Sequence, residues 1–239
     1  MLLCIGGRLF MKIAGVQKCT LIDFPNKIAA IIFTQGCNFR CPYCHNAKLW
    51  PCNESGTIDE EEVFNFLRNR EGKLEGVVIS GGEPLLQKDL LDFIRKIRRM
   101  DFSVKLDTNG SLPNALEDLI RENVLDFIAM DLKHVFSHYD EACGVKVPTK
   151  DIQRSVNLLK ESGLPYELRM TVVPSVHHLD GIVESLREMI VGVPRFVVQN
   201  FVPNSAADPH LRQLHPFALK DLEDMRAALK SFVGECIIR

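Results

Sequence analysis

Cys37, Cys41 and Cys44 stand in the stretch FTQGCNFRCPYCHN, with three residues between the first pair and two between the second. Thiols at that spacing share one tight loop, and as thiolates they bind soft metals. An iron–sulfur cubane has four irons and takes four thiolates for full protein ligation, so three thiolates leave one iron open to a small molecule. The loop also reads as a structural zinc site with Cys52 or His45 as fourth ligand, since zinc favours closely spaced Cys and His. Zinc knuckles usually come as two paired Cys-x2-Cys units.

Further residues with chemical potential gather behind apolar runs. Ser80-Gly81-Gly82-Glu83-Pro84 combines two glycines, which let a ligand approach the backbone, with an acid able to accept hydrogen bonds from an ammonium group. Asp107-Thr108-Asn109-Gly110 and Met130-Asp131-Leu132-Lys133 add two acids and a lysine. Together these charges suit a zwitterionic amino acid, its carboxylate on Lys133 and its ammonium on Asp107 or Glu83. Taken singly, Asp107 reads as a turn cap and Lys133 as a surface residue. Arg169 and Thr171 lie among β-branched residues, so Arg169 is either an edge residue or points into a polar interior. His177 and His178 read as solvated loop residues, and His134 and His138 as surface. Arg95, Lys96, Arg98 and Arg99 read as a solvated helix face, Phe64, Phe66 and Leu67 as a core stripe, and Cys4, Cys19, Cys143 and Cys236 as incidental or buried thiols.

Apolar β-like runs that alternate with helical periodicity must carry these residues. Strands are expected at residues 29–34, 76–80, 103–106, 127–130, 166–173 and 195–201, and helices near 59–70, 89–100, 114–122, 151–162, 180–190 and 216–233. Alternating elements of this kind make a parallel α/β sheet, and the acids, lysine and glycines then fall at its carboxyl ends, where such folds place their chemistry. Six βα units are too few for a closed eight-stranded barrel, so the expected fold is an open, partial (β/α)6 barrel with a parallel sheet. Residues 1–28 read as an N-terminal extension, a hairpin lying on the barrel, and residues 29–239 as the core domain. Met1 and Met11 are alternative starts. Thr57 and Asp59 are placed to cap the first helix, with Glu60, Glu61 and Glu62 complementing its dipole.

A chain of 239 residues is long enough to bury a core without disulfides. Its formal net charge of −2 argues against an electrostatic nucleic-acid binder. It contains no apolar run long enough for a membrane span, and its first residues lack a basic segment and cleavage site, so no signal peptide is expected. Eight cysteines without a secretion signal suggest a reducing, cytoplasmic setting in which thiolates serve metals.

The set formed by Cys37, Cys41 and Cys44, Gly81-Gly82-Glu83-Pro84 and Asp107-Thr108-Asn109-Gly110 resembles the radical S-adenosylmethionine superfamily. The stretch LIDFPNKIAAIIFTQGCNFRCPYCHN, with Asp131-Leu132-Lys133 and Leu168-Arg169 before Val172-Val173-Pro174, resembles glycyl-radical-enzyme activases, above all the short activating proteins of anaerobic ribonucleotide reductases. The resemblance implies a [4Fe-4S] cluster on Cys37, Cys41 and Cys44, with S-adenosylmethionine (SAM) on the open iron. It places Gly81, Gly82, Glu83, Asp107 and Asn109 in the cofactor site, Gly82, Glu83 and Asp107 at the methionine ammonium. Lys133 falls at the carboxylate, Arg169 near the ligand and Tyr43 over the adenine, while Asp107, Thr108 and Asp131 match positions for a monovalent cation. The implied reaction is reductive cleavage of SAM to a 5′-deoxyadenosyl radical, which generates a glycyl radical on a partner such as anaerobic ribonucleotide reductase. The chain departs from larger activases in lacking room for a ferredoxin-like insert after Cys44, which implies an external one-electron donor, a flavodoxin or ferredoxin. Where several activases have a cofactor-site histidine in the last strand, Val198-Gln199-Asn200-Phe201 stands here. Two other readings remain: a radical enzyme acting on a small molecule, as in deazapurine synthesis, and a noncatalytic zinc or iron–sulfur module.

Overall fold

The computed structural model describes residues 11–54 and 56–239. The first ten residues, with Cys4 and the beginning of the expected extension, lie outside the described residues. Among those described, eight strands follow one another in chain order through one open sheet: β1 (Ile13–Thr20), β2 (Ala29–Thr34), β3 (Gly76–Gly81), β4 (Ser103–Thr108), β5 (Phe127–Asp131), β6 (Tyr166–Val172), β7 (Arg195–Asn200) and β8 (Glu235–Ile238). β1 runs antiparallel to β2, whereas β2–β3, β3–β4, β6–β7 and β7–β8 are parallel. The helices are α1 (Glu60–Arg68), α2 (Leu90–Arg98), α3 (Pro113–Arg121), α4 (Tyr139–Cys143), α5 (Thr149–Glu161), α6 (Ile182–Ile190) and α7 (Leu219–Leu229). The fold is therefore α/β with an open parallel sheet, and all six expected strands and six expected helices are present. β1, β8 and α4 lie outside those expected elements: residues 13–20, read as part of an extension, form a strand of the sheet itself.

The chain divides into two compact units. One comprises the residues up to Asn38, Lys48–Thr108 and Asn114–Ile128; the other comprises Phe39–Ala47, Asn109–Pro113 and Ala129–Arg239. In the first, β2 and β3 are buried over most of their length, the mark of strands covered on both faces. Leu90, Phe93, Ile94 and Ile97 form the buried stripe of α2, and its basic residues Arg95, Lys96 and Arg98 sit in the last turn, where they oppose the negative end of the dipole. Their side chains are solvated, as expected. Two details differ from expectation. Asp59 is the N-cap of α1 but its side chain makes no capping hydrogen bond, and Thr57 Oγ1 donates to the Ala14 carbonyl instead. Phe66 is only half-buried, beneath the Arg70 guanidinium, while Phe64 and Leu67 are in the core.

In the second unit Met130, Leu168, Met170, Phe196, Val197 and Val198 form the buried strand faces, and Leu186, Ile190, Leu222 and Leu229 contribute from α6 and α7. No helix among the described residues is long and apolar enough to cross a membrane.

Candidate functional site

In the first unit the register of β2 and β3 determines what meets the cysteine loop. Thr34 pairs with Gly81, so both chains leave the sheet at the same level. Gly82 N–H then donates to Thr34 O (3.0 Å) and Glu83 N–H to Gly36 O (2.8 Å). The two backbones are so close that a Cβ on Gly82 would lie 2.1 Å from Gly36 O, and one on Gly81 (φ +122°) 2.2 Å from Thr34 N. Only glycines permit this approach. On the far side, Gly36 N–H donates to Leu49 O (2.8 Å) and Cys37 N–H to Trp50 O (3.2 Å), so the peptide before Cys37 is held on both sides.

Glu83 is fully buried. Its Oε1 accepts from Thr108 Oγ1 (2.7 Å) and from Leu85 N–H (3.1 Å), which ties the end of β3 to the end of β4. Asp107 is paired with Lys105, a lysine that is 1% exposed in the middle of β4. Sequence reasoning missed Lys105, although a lysine inside an apolar strand two residues before an acid is a signal for a buried ion pair.

In the second unit Cys44 N–H donates to Cys41 O (2.9 Å), closing one turn around Tyr43. The carboxyl end of α4 is docked on this turn: Arg40 N–H donates to Cys143 O (2.8 Å), and a Cβ on Gly144 (φ +65°) would lie 2.3 Å from Arg40 O. The Cys41 thiol is pulled below its ordinary value, chiefly by a hydrogen bond from Cys143 and, against the effect of burial, by the Lys133 ammonium. Burial pushes the Cys143 thiol up. Tyr43 is buried, and its Oη is the one buried side-chain polar atom among the described residues with no hydrogen-bond partner. Burial and then the charge of Cys41 raise its hydroxyl well above the usual range.

Asp131, Lys133 and Arg169 form a chain of charges. Asp131 Oδ1 accepts from Arg169 Nε (2.7 Å) and Oδ2 from Lys133 Nζ (3.1 Å). Burial alone would raise the Asp131 carboxyl, but Arg169 and Lys133 outweigh it and hold it far below the ordinary range. Burial would likewise lower the Lys133 ammonium, and Asp131 more than restores it. Arg169 thus points inward, with a 12% exposed side chain, rather than lying at an edge. Asn109 Oδ1 accepts from the backbone and hydroxyl of Ser111 (2.9 and 2.6 Å), and Asn200 Nδ2 donates to Phe217 O (3.0 Å).

Two expectations are overturned in this unit. His134 and His177 are not solvated: they are 6% and 1% exposed. Each ring hydrogen-bonds main-chain groups through both nitrogens, which lets imidazole enter a core. His138 and His178 are exposed, as expected.

The three loop cysteines lie outside any disulfide, Cys37 and Cys41 buried and Cys44 half-buried. Among the described residues no three His, Cys, Asp or Glu side chains converge as on a single ion.

The profile described as the Radical SAM superfamily matches residues 31–186. A protein of Methanocaldococcus jannaschii named for glycyl-radical enzyme activation is 32% identical over 232 residues, 95% of each chain. A pyruvate formate-lyase-activating enzyme of Staphylococcus epidermidis is 30% identical over 176 residues, 68% of each chain. Among solved structures, Streptococcus suis SuiB bound to its precursor peptide SuiA superposes with a TM-score of 0.67 at 15% identity, over 87% of this chain and 47% of that one.

Proposed function

The chain belongs to the radical S-adenosylmethionine superfamily and is related to glycyl-radical-enzyme activating enzymes, and from that premise we propose that it is such an activase, with a partner of the anaerobic ribonucleotide reductase type. The superfamily implies a [4Fe-4S] cluster and SAM. When bound, the cluster would supply the electron for reductive cleavage of SAM, and with it the radical chemistry that would remove the α-hydrogen of a partner's glycine.

The residues present fit these groups. Three cysteines outside any disulfide supply the soft sulfur donors a cluster needs. The unpartnered Tyr43 Oη leaves a buried hydroxyl for a ligand polar group. The observation that carries the reading is the close backing of Gly81-Gly82-Glu83 onto Thr34–Gly36, which shapes the approach to Cys37 from main chain alone.

Cys37, Cys41 and Cys44 would hold the cluster. Gly81, Gly82, Glu83, Asp107 and Asn109 would line the cofactor's methionine, with acceptors for its ammonium on Gly82, Glu83 and Asp107. Lys133 would meet the carboxylate, Arg169 would hold Asp131 so that the Lys133 ammonium stays oriented, and Tyr43 would cover the adenine. A monovalent cation on Asp107, Thr108 and Asp131 would compete with ammonium groups already on these acids, Lys105 on Asp107 and Lys133 on Asp131. Buried Phe39 beside Cys41 would exclude water, which favours a low cluster potential. Electrons would come from an external flavodoxin or ferredoxin.

The test is anaerobic. The protein is reconstituted with iron and sulfide, reduced, given SAM, and assayed for 5′-deoxyadenosine, then for a glycyl radical signal in a co-occurring reductase. Product and signal together support the activase. Product without a signal from any glycyl radical enzyme points to a small-molecule substrate, and no product from a loaded, reducible cluster with partner present refutes the reading.

A further inference from the structure

Lys133 is followed by a feature that the cofactor site does not itself require. Its backbone is held on both sides: Lys133 N–H donates to Tyr139 Oη (3.3 Å), and Lys133 O faces His177 Nε2 at 2.9 Å. His177 Nδ1 accepts from Val173 N–H (3.0 Å), so the proton belongs on Nε2, which donates to Lys133 O. His134 mirrors this from the other loop. Its Nδ1 accepts from Val135 N–H (2.8 Å) and its Nε2 faces Val176 O at 3.1 Å. The histidine after β5 therefore donates to the loop after β6, and the histidine after β6 donates to the loop after β5. The two rings stack with centroids 4.5 Å and planes 10° apart, and the Tyr43 and His177 rings form a T-shaped pair with centroids 6.3 Å apart.

We infer that His134 and His177 are positioning residues, a reciprocal clasp of two neutral imidazoles that fixes the Lys133 main chain and backs the Tyr43 ring, so that both side chains are presented to the cofactor in one geometry. The inference rests on the proposed cofactor site and adds residues that touch no reacting atom. Neutrality is part of the device, since a proton on either Nδ1 would turn an acceptor toward a backbone N–H into a second donor. Burial lowers both rings, His177 to about 4. The titratable groups around them are His138 and His178, Glu141, whose charge acts the other way on His134, and Tyr43, whose ring packs on His177. The imidazoles of His138 and His178 further disfavour a charge. A clasp serves here because β5 has ended: Leu132 N–H still donates to Arg169 O (2.8 Å), and beyond it the chain after β5, like that after β6 from Val173 on, leaves the sheet for a loop whose peptide groups need other partners.

The test uses His177→Phe, which keeps an aromatic ring for the stack but removes both hydrogen bonds. Binding of SAM to the anaerobically reconstituted protein is measured by equilibrium dialysis, with iron content and cluster absorbance as controls. The expected result is unchanged cluster loading with affinity about tenfold weaker, and no comparable further loss when His177→Phe is added to Lys133→Ala, because the positioned group is then already gone. Amide exchange at Val173 should quicken in His177→Phe whether or not cofactor is present. Full affinity in His177→Phe, or an equal loss in the Lys133→Ala background, overturns the positioning role. So does an unchanged Val173 exchange rate. A loaded wild-type protein that binds no SAM refutes the cofactor site itself, while quickened Val173 exchange in the variant would still uphold the clasp on the Lys133 loop.

Discussion

Gly82→Ala tests the close approach on which the cysteine loop depends. The added Cβ would sit 2.1 Å from Gly36 O and 2.6 Å from Gly36 C, with Leu49 O at 3.1 Å on another side. A carbon–oxygen approach relaxes to about 3.3 Å, so the two segments must part by about 1.2 Å. All three obstacles are backbone atoms, and no side chain can rotate away to make room. Overpacking of this kind costs about 3 kcal/mol, the upper end of its usual range. The Glu83 N–H to Gly36 O bond is strained with it. For a chain of this size that is a fall of roughly 10 °C in the melting temperature. Gly163→Ala is the control: its φ is +70° but nothing lies within 4 Å, so it reports the left-handed backbone alone, about 1 kcal/mol. Because Gly36 precedes Cys37, the displacement should also reach that proposed cluster ligand. Thermal unfolding under argon and iron and sulfide content after reconstitution measure the two effects. A Gly82→Ala protein that melts within 2 °C of the parent (roughly 0.5–1 kcal/mol) and takes up full iron would refute the argument.

Three other outcomes are expected. Cys41→Ala should abolish cluster assembly, judged by iron content and visible absorbance, while Cys19→Ala, at an exposed thiol in β1, should leave both unchanged. Lys133→Ala should keep the cluster absorbance and weaken SAM binding by about 10- to 100-fold, the span of a hydrogen bond to a charged group; unchanged affinity would remove Lys133 from the site. Stability should fall with acidity through His177. Its folded value of about 4 lies below the ordinary 6.5, so the unfolded chain binds the proton first. The contribution is fully present above pH 6.5 and is lost as pH falls toward 4, about 3 kcal/mol in all. Urea unfolding at several pH values should show a shallower decline in this window for His177→Phe than for the parent.

The sequence by itself determined the elements and the chemistry. Strands such as Ala29–Thr34 were legible because a strand buried on both faces must be a continuous apolar run, and α2 was legible because a half-buried helix repeats its apolar positions every three to four residues. The three cysteines stand out in the sequence because residue type and spacing are properties of one short segment. β8 was not: Glu235–Ile238 is four residues long and only half-buried, and its existence depends on pairing with β7 rather than on its own pattern. What only the tertiary structure decided is which polar groups are inside. Ser-Val-His-His reads as a solvated turn, yet His177 is buried because its hydrogen-bond partners, Val173 N–H and Lys133 O, come from its own turn and from a loop 44 residues away. Lys105 enters the core because Asp107 follows it on the same strand, and Arg169 turns inward because Asp131 stands 38 residues earlier. A lone polar side chain is costly to bury and a satisfied one is not. Satisfaction is a relation between segments, and no single segment displays it.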